Sequence, residues 1–103
     1  LQAKDCYYHF SNGAESADIT YTGKVLEIRG IPTYVEDMDT CSIIVFAYES
    51  GMFGDEGIRC SLLPKYYMQS KEINNKEEIT IKGYCTGYNE TDVIIEQCSL
   101  INR

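Results

Sequence analysis

The stretch GIRCSLLPKYYMQSKEINNKEEITIKGYCT, residues 57–86, decides the fold. Between Gly57 and Leu63 the side chains alternate: Ile58, Cys60 and Leu62 fall on one side, Arg59 and Ser61 on the other, the period-two mark of a half-buried strand. Pro64 stops that strand, because it has no N–H for a ladder, and its fixed φ suits the first turn of a helix. Lys65 to Glu72, carrying Tyr66, Tyr67 and Met68, therefore predicts a helix barely two turns long. The period returns to two at Ile79, Ile81, Gly83 and Cys85, which oppose Thr80, Lys82, Tyr84 and Thr86. This places Ile81 in the interior and Thr80 outside, so that Thr80 should tolerate a charge.

Working outward, Gly87 to Thr91 is a polar turn and Asp92 to Leu100 a returning strand. Upstream, Cys41 to Tyr48 is a strand apolar on both faces, followed by Glu49 to Gly57, whose Gly51, Gly54 and Gly57 predict a flexible hairpin turn. Thr33 to Thr40 reads as an acidic loop. From Thr22, Leu26 and Ile28 alternate with Val25, Glu27 and Arg29 in a strand that ends near Ile31 and Pro32. Leu1 to Asp18 is helical, with Ala3, Cys6, Tyr7, Phe10 and Ala14 in one stripe; Asn12 and Gly13 weaken it, so the helix ends near Ser11 and resumes as a turn. Three strands, a short helix and two strands, after an N-terminal helix, is the order of a mainly β, five-stranded Greek-key barrel of the OB type, with the short helix between strands three and four plugging its bottom. A single domain over 1–103 is expected, with 1–18 helical and 22–101 forming the barrel.

Composition narrows the function. The chain has 103 residues, 44% of them apolar, and a formal charge of −7, which repels phosphate polyanions. No run approaches the roughly 18 apolar residues of a membrane span, and no signal peptide is visible. The chain opens on Leu1 and not on Met, which suggests trimming. Five cysteines lack any C-x-x-C pair, so no metal site is expected and an oxidising compartment fits, with at least one thiol unpaired. Five reduced, buried thiols acting as small hydrophobes fit equally well. Cys85 and Cys98, on the two strands of the last hairpin, are the candidate disulfide; Cys60 is the competing partner.

Phe10-x-Asn12, Ala17-Asp18, Tyr21-x-Gly23-Lys24, a strand closing at Gly30, Gly83-x-Cys85-x-Gly87 and Cys98 together resemble the bacterial tRNA-anticodon-binding-like OB proteins, from Cys6 to Ile101. The resemblance implies a small exported, periplasmic or lipid-anchored protein of unassigned activity, with any lipid-bearing cysteine upstream of Leu1. The nucleic-acid part of that family's name then describes a fold relationship.

An OB barrel binds ligand across its second and third strands, framed by the loops between strands one and two and between four and five. Tyr34, Phe46, Tyr48, Tyr88 and Arg59 are the candidate binding residues on that surface. Tyrosine offers broad apolar area and a hydroxyl for sugars or peptide groups, although tyrosines also simply suit strands. Phe46 and Ile44 belong to the core instead if the strand faces are reversed, because a strand apolar on both faces hides its register. Single-strand binders pair aromatic platforms with cations. Here the framing loops carry Glu36, Asp37, Asp39, Glu90 and Asp92 and no Lys or Arg, so the cationic half is missing. Calcium at Glu36, Asp37 and Asp39 is a weaker reading than a solvated loop. His9 is the only histidine and no nucleophile motif accompanies it, so no catalytic residue and no cofactor is expected. Asn89-Glu90-Thr91 fits the glycosylation pattern but would be idle in a bacterium. The expected function is a non-enzymatic, exported module that binds a protein, peptide or glycan; the alternatives are a single-stranded nucleic-acid binder and a structural interaction module.

Overall fold

The computed structural model describes residues 1–101. Two helices open the chain, α1 (Ala3–Asn12) and α2 (Ala14–Tyr21). Ala3, Cys6, Tyr7 and Phe10 are buried on α1, as the stripe predicts. Gly13 breaks the helix, but the chain re-enters a second helix where a turn was expected. The break resets the helical phase, so Ala17 is buried and Ala14 is not.

Six strands follow among the described residues: β1 (Val25–Gly30), β2 (Tyr34–Asp37), β3 (Ser42–Gly51), β4 (Gly54–Leu62), β5 (Ile79–Tyr88) and β6 (Val93–Ile101). Between β4 and β5 stand a 3₁₀ turn, Pro64–Tyr66, and the single helical turn α3 (Tyr67–Ser70), shorter than the predicted helix. The strands form one sheet in the order β1-β5-β6-β4-β3-β2, with β4 and β6 parallel. The mainly β class holds, and the five-stranded barrel is corrected to one six-stranded sheet. The predicted first strand and the start of the acidic loop are two strands, parted at residues 31–33; β1 pairs with β5, β2 pairs with β3, and both lie at sheet edges. Pro32 accounts for the break, since it cannot donate to a ladder. The two edge strands are therefore neighbours in the chain. Gly30 lets β1 pack closely on the core: a Cβ there would lie 3.1 Å from Ala3 Cβ and 3.2 Å from the Phe46 ring.

The core draws on both helices and every strand but β2, with Tyr7, Phe10, Ile28, Phe46, Ile58, Ile81 and Ile95 among its fully buried members. The predicted phases hold in β4, where Ile58, Cys60 and Leu62 are buried, and in the middle of β5, where Ile81, Gly83 and Cys85 are. Thr80 departs from them. It is 3% exposed, flanked by Arg29 on β1 and Ile101 on β6, so the expectation that it tolerates a charge is corrected. The segment read as a flexible hairpin turn is mostly ladder, with Glu49, Ser50 and Gly51 opposite Glu56, Asp55 and Gly54, and a bulge where Tyr48 slips out of register.

All five cysteines are free. Cys85 stands opposite Ile95, not Cys98, because register shifts interrupt the β5–β6 ladder on either side of Tyr84 and Cys85. The predicted Cys85–Cys98 bond is thereby corrected. The Cys98 thiol donates to the Ile95 carbonyl at 3.6 Å, and hydrogen bonding of Cys60 to Cys98, with burial, raises the Cys60 pKa well above that of an ordinary thiol. Burial pushes Cys6 to about 12 and raises Cys85. A thiol needs its thiolate form to react, which disfavours reaction of Cys6, Cys60 and Cys85 near neutrality, and Cys98 is shielded by burial, whereas Cys41 is partly exposed. Alkylation of the native protein at neutral pH is expected to modify one thiol, Cys41, and denaturation to release all five. Mass spectrometry showing rapid modification of any second cysteine in the native state would contradict this packing.

Candidate functional site

Successive strands bring one row of outward residues together. Tyr34 on β2 is opposite Val45 on β3, Val45 is opposite Arg59 on β4, and Arg59 is aligned with Ile94 on β6. Ile44 and Phe46 point into the core cluster; Val45, buried as deeply, stands outside that cluster on the other face. Glu36, one pleat from Tyr34, pairs with the Arg59 guanidinium, and both side chains keep about a third of their exposure. The cation on this face is thus already matched by a carboxylate.

Beside β2 the face drops into a groove of about 510 Å³, within the range of roughly 300 to 1,000 Å³ usual for ligand pockets. One wall is the start of the edge strand β2, with Tyr34, Val35 and Asp37, together with Pro32 and Thr33 that lead into it; the other is Lys71, Ile73 and Asn74. Its floor is fixed by hydroxyls. Ser70 Oγ donates to the Tyr67 carbonyl at 2.6 Å, which leaves Ser42 Oγ as donor in the buried 2.7 Å contact between the two serines. The rim is tied across by Tyr67, whose hydroxyl donates to Asp37 Oδ1 at 2.8 Å, and by Lys71 Nζ, 3.7 Å from Asp37 Oδ2 and 4.8 Å from the Tyr67 ring centre. The Tyr67 hydroxyl, the Asp39 N–H and the Lys71 charge hold the Asp37 carboxyl below the usual range.

The predicted site residues separate. Tyr34, 37% exposed, and Arg59 share the outer row; Tyr34 alone lines the groove. Phe46 is corrected: it is fully buried and reaches no surface. Tyr48 and Tyr88 serve instead to dock the N-terminal helix. The Tyr48 ring lies 5.9 Å from Tyr7 and 6.2 Å from Tyr8, and Tyr88 lies 5.7 Å from Phe10. Burial pushes the Tyr48 and Tyr7 hydroxyls up to about 12. Tyr8 donates to Glu49 and to the Tyr48 carbonyl, and Tyr88 donates to Glu90 O at 3.1 Å. His9 is held between the Tyr21 hydroxyl at 3.2 Å and Ser16 Oγ at 3.1 Å. Tyr67 and Lys71 escaped the sequence reading of the site, and Asp37 entered it only as an anionic residue of a framing loop, because a contact spanning some thirty residues of chain has no local signature.

The mainly β sheet, with a short helix between β4 and β5, fits an OB-like binding module. The chain belongs to the tRNA_anti-like family, whose model matches residues 1–100. No curated protein matches it.

Proposed function

We propose that the protein is a non-enzymatic binding module that takes an extended segment of a protein or peptide in the groove beside β2. The observation that carries this reading is the groove's wall, an edge strand with a ladder partner on one side only. An edge strand recruits an extended chain through main-chain hydrogen bonds, while flanking pockets read its side chains. Tyr34 supplies apolar area with a polar tip at the mouth of the groove. The electrostatics argue against nucleic acid, since Arg59 is matched by Glu36 and Lys71 by Asp37. Export to the bacterial envelope, with a lipid anchor upstream of Leu1, belongs to this reading on the family resemblance alone, and cell fractionation checks it.

The test is an array of short peptides of diverse sequence, followed by amide chemical-shift mapping with the strongest binder. Shifts confined to residues 32–37 and 70–75, and a roughly tenfold weakening by Tyr34→Ala, are expected. Glycan binding without peptide binding, or shifts elsewhere, would overturn the proposal. Oligo(dT) is expected to bind no more tightly than the non-specific range, about 0.1 mM at physiological salt. Micromolar, salt-sensitive binding would favour the nucleic-acid alternative, with Lys24, Arg29 and Lys82 the first cations to substitute.

A further inference from the structure

The β3–β4 hairpin ends in Met52 and Phe53, which are 90% and 89% exposed. Soluble surfaces do carry single apolar residues, but two adjacent ones at the apex of an arm are harder to explain as chance. The ladder runs to the last possible pair, Gly51 opposite Gly54, so two residues alone make the turn. Gly54 has a φ of +119°, which a residue with a side chain rarely adopts, and the arm's base is braced by Tyr8 bonding to Glu49. The pair is therefore held out on a built support.

Its surroundings have one sign. Glu49, Asp55 and Glu56 flank the pair on the arm, and Phe53 and Asp55 share a cleft with Asp92 of the β5–β6 loop, which also carries Glu90. Neither segment, 49–57 or 87–92, contains a Lys or Arg. We propose that this tip is a second docking surface, separate from the groove, for a protein partner that presents an apolar socket rimmed by Lys and Arg. Charge complementarity selects that occupant: a second copy would bring like charges together in a chain of net charge −7, and an anionic membrane would repel the rim.

Because both side chains are solvent-exposed and lie outside the ladder, Met52→Ser/Phe53→Ser should fold with an unchanged Tm. The probe is a set of synthetic peptides in three classes, combining Leu and Phe with Lys and Arg, with Asp and Glu, or with neutral polar residues. The expected result is preferential binding of the basic class, weakened about tenfold or more by the double substitution and by Asp55→Lys, and untouched by Tyr34→Ala. Loss on Tyr34→Ala instead would assign the binding to the groove and overturn the tip. So would no binding of the basic class, equal binding of the acidic class, or retention of binding in the double variant. Tip-dependent flotation with phosphatidylcholine or phosphatidylglycerol vesicles, or tip-dependent dimerisation in sedimentation, would also overturn it by naming a different occupant.

Discussion

Ile81→Asp is expected to leave the protein unfolded at 25 °C. Ile81 is fully buried in β5, between Ile28 of β1 and Leu100 of β6. A carboxylate placed there has no partner, and an unpaired buried charge costs about 3 to 5 kcal/mol beyond the lost apolar packing. Domains of this kind are stable by only about 5 to 15 kcal/mol in all. The neighbouring Lys82 is exposed, so Lys82→Asp should shift stability by about 1 kcal/mol or less, part of it from facing Glu27. Urea unfolding followed by circular dichroism separates the two. Equal effects would show that the assigned inward and outward faces of β5 are wrong.

The second large effect is at Gly57. A Cβ on this residue would lie 1.8 Å from the Phe46 carbonyl oxygen and 2.9 Å from Ala47 Cα. These are backbone atoms, so no side chain can turn aside to make room. The β3–β4 ladder must separate at the Ala47–Gly57 pair, next to the bulge that starts the arm. Gly57→Ala should cost about 3 kcal/mol or more, the upper end of overpacking penalties. Gly54→Ala provides the contrast. Its Cβ would meet nothing within 4 Å, so only the strain of its positive φ remains, of the order of 1 to 2 kcal/mol. A smaller loss at Gly57 than at Gly54, measured by thermal unfolding, would refute the close approach.

Legibility followed the periodicity. The α1 stripe, the β4 alternation and the Ile81 to Cys85 phase were readable because a strict period of polar and apolar residues has only one way to face a core. β3 was not, because Ile43 to Phe46 is an unbroken apolar run, and Phe46 consequently stood as a surface candidate. β2 was hidden by its charges. Tyr34 and Glu36 face outward around Val35, a strand pattern too short to stand out beside Glu36, Asp37 and Asp39. Tyr48 was located on the right strand, whereas Tyr88, read as part of the polar turn, closes β5; the partners of both on α1 lie far away in sequence, and no local rule distinguishes a docked ring from a waiting one. The same distance hid the link from Tyr67 to Asp37.

The placement of β1 and β2 at opposite ends of the strand order sets the order in which the chain can be completed during translation. β1 has its ladder with β5, so Val25 waits for Tyr84 to be synthesised, and β4 waits for β6. The β3–β4 hairpin, closed by a two-residue turn, depends on nothing downstream. At about 5 to 20 residues per second, the ribosome therefore carries for several seconds a chain with two helices and one hairpin whose apolar surfaces are uncovered. Pairings this distant in sequence also slow folding after release. A chain interrupted before β5 lacks the strand that pairs with β1 and covers Ile28, and should therefore expose apolar surface of the kind that aggregates.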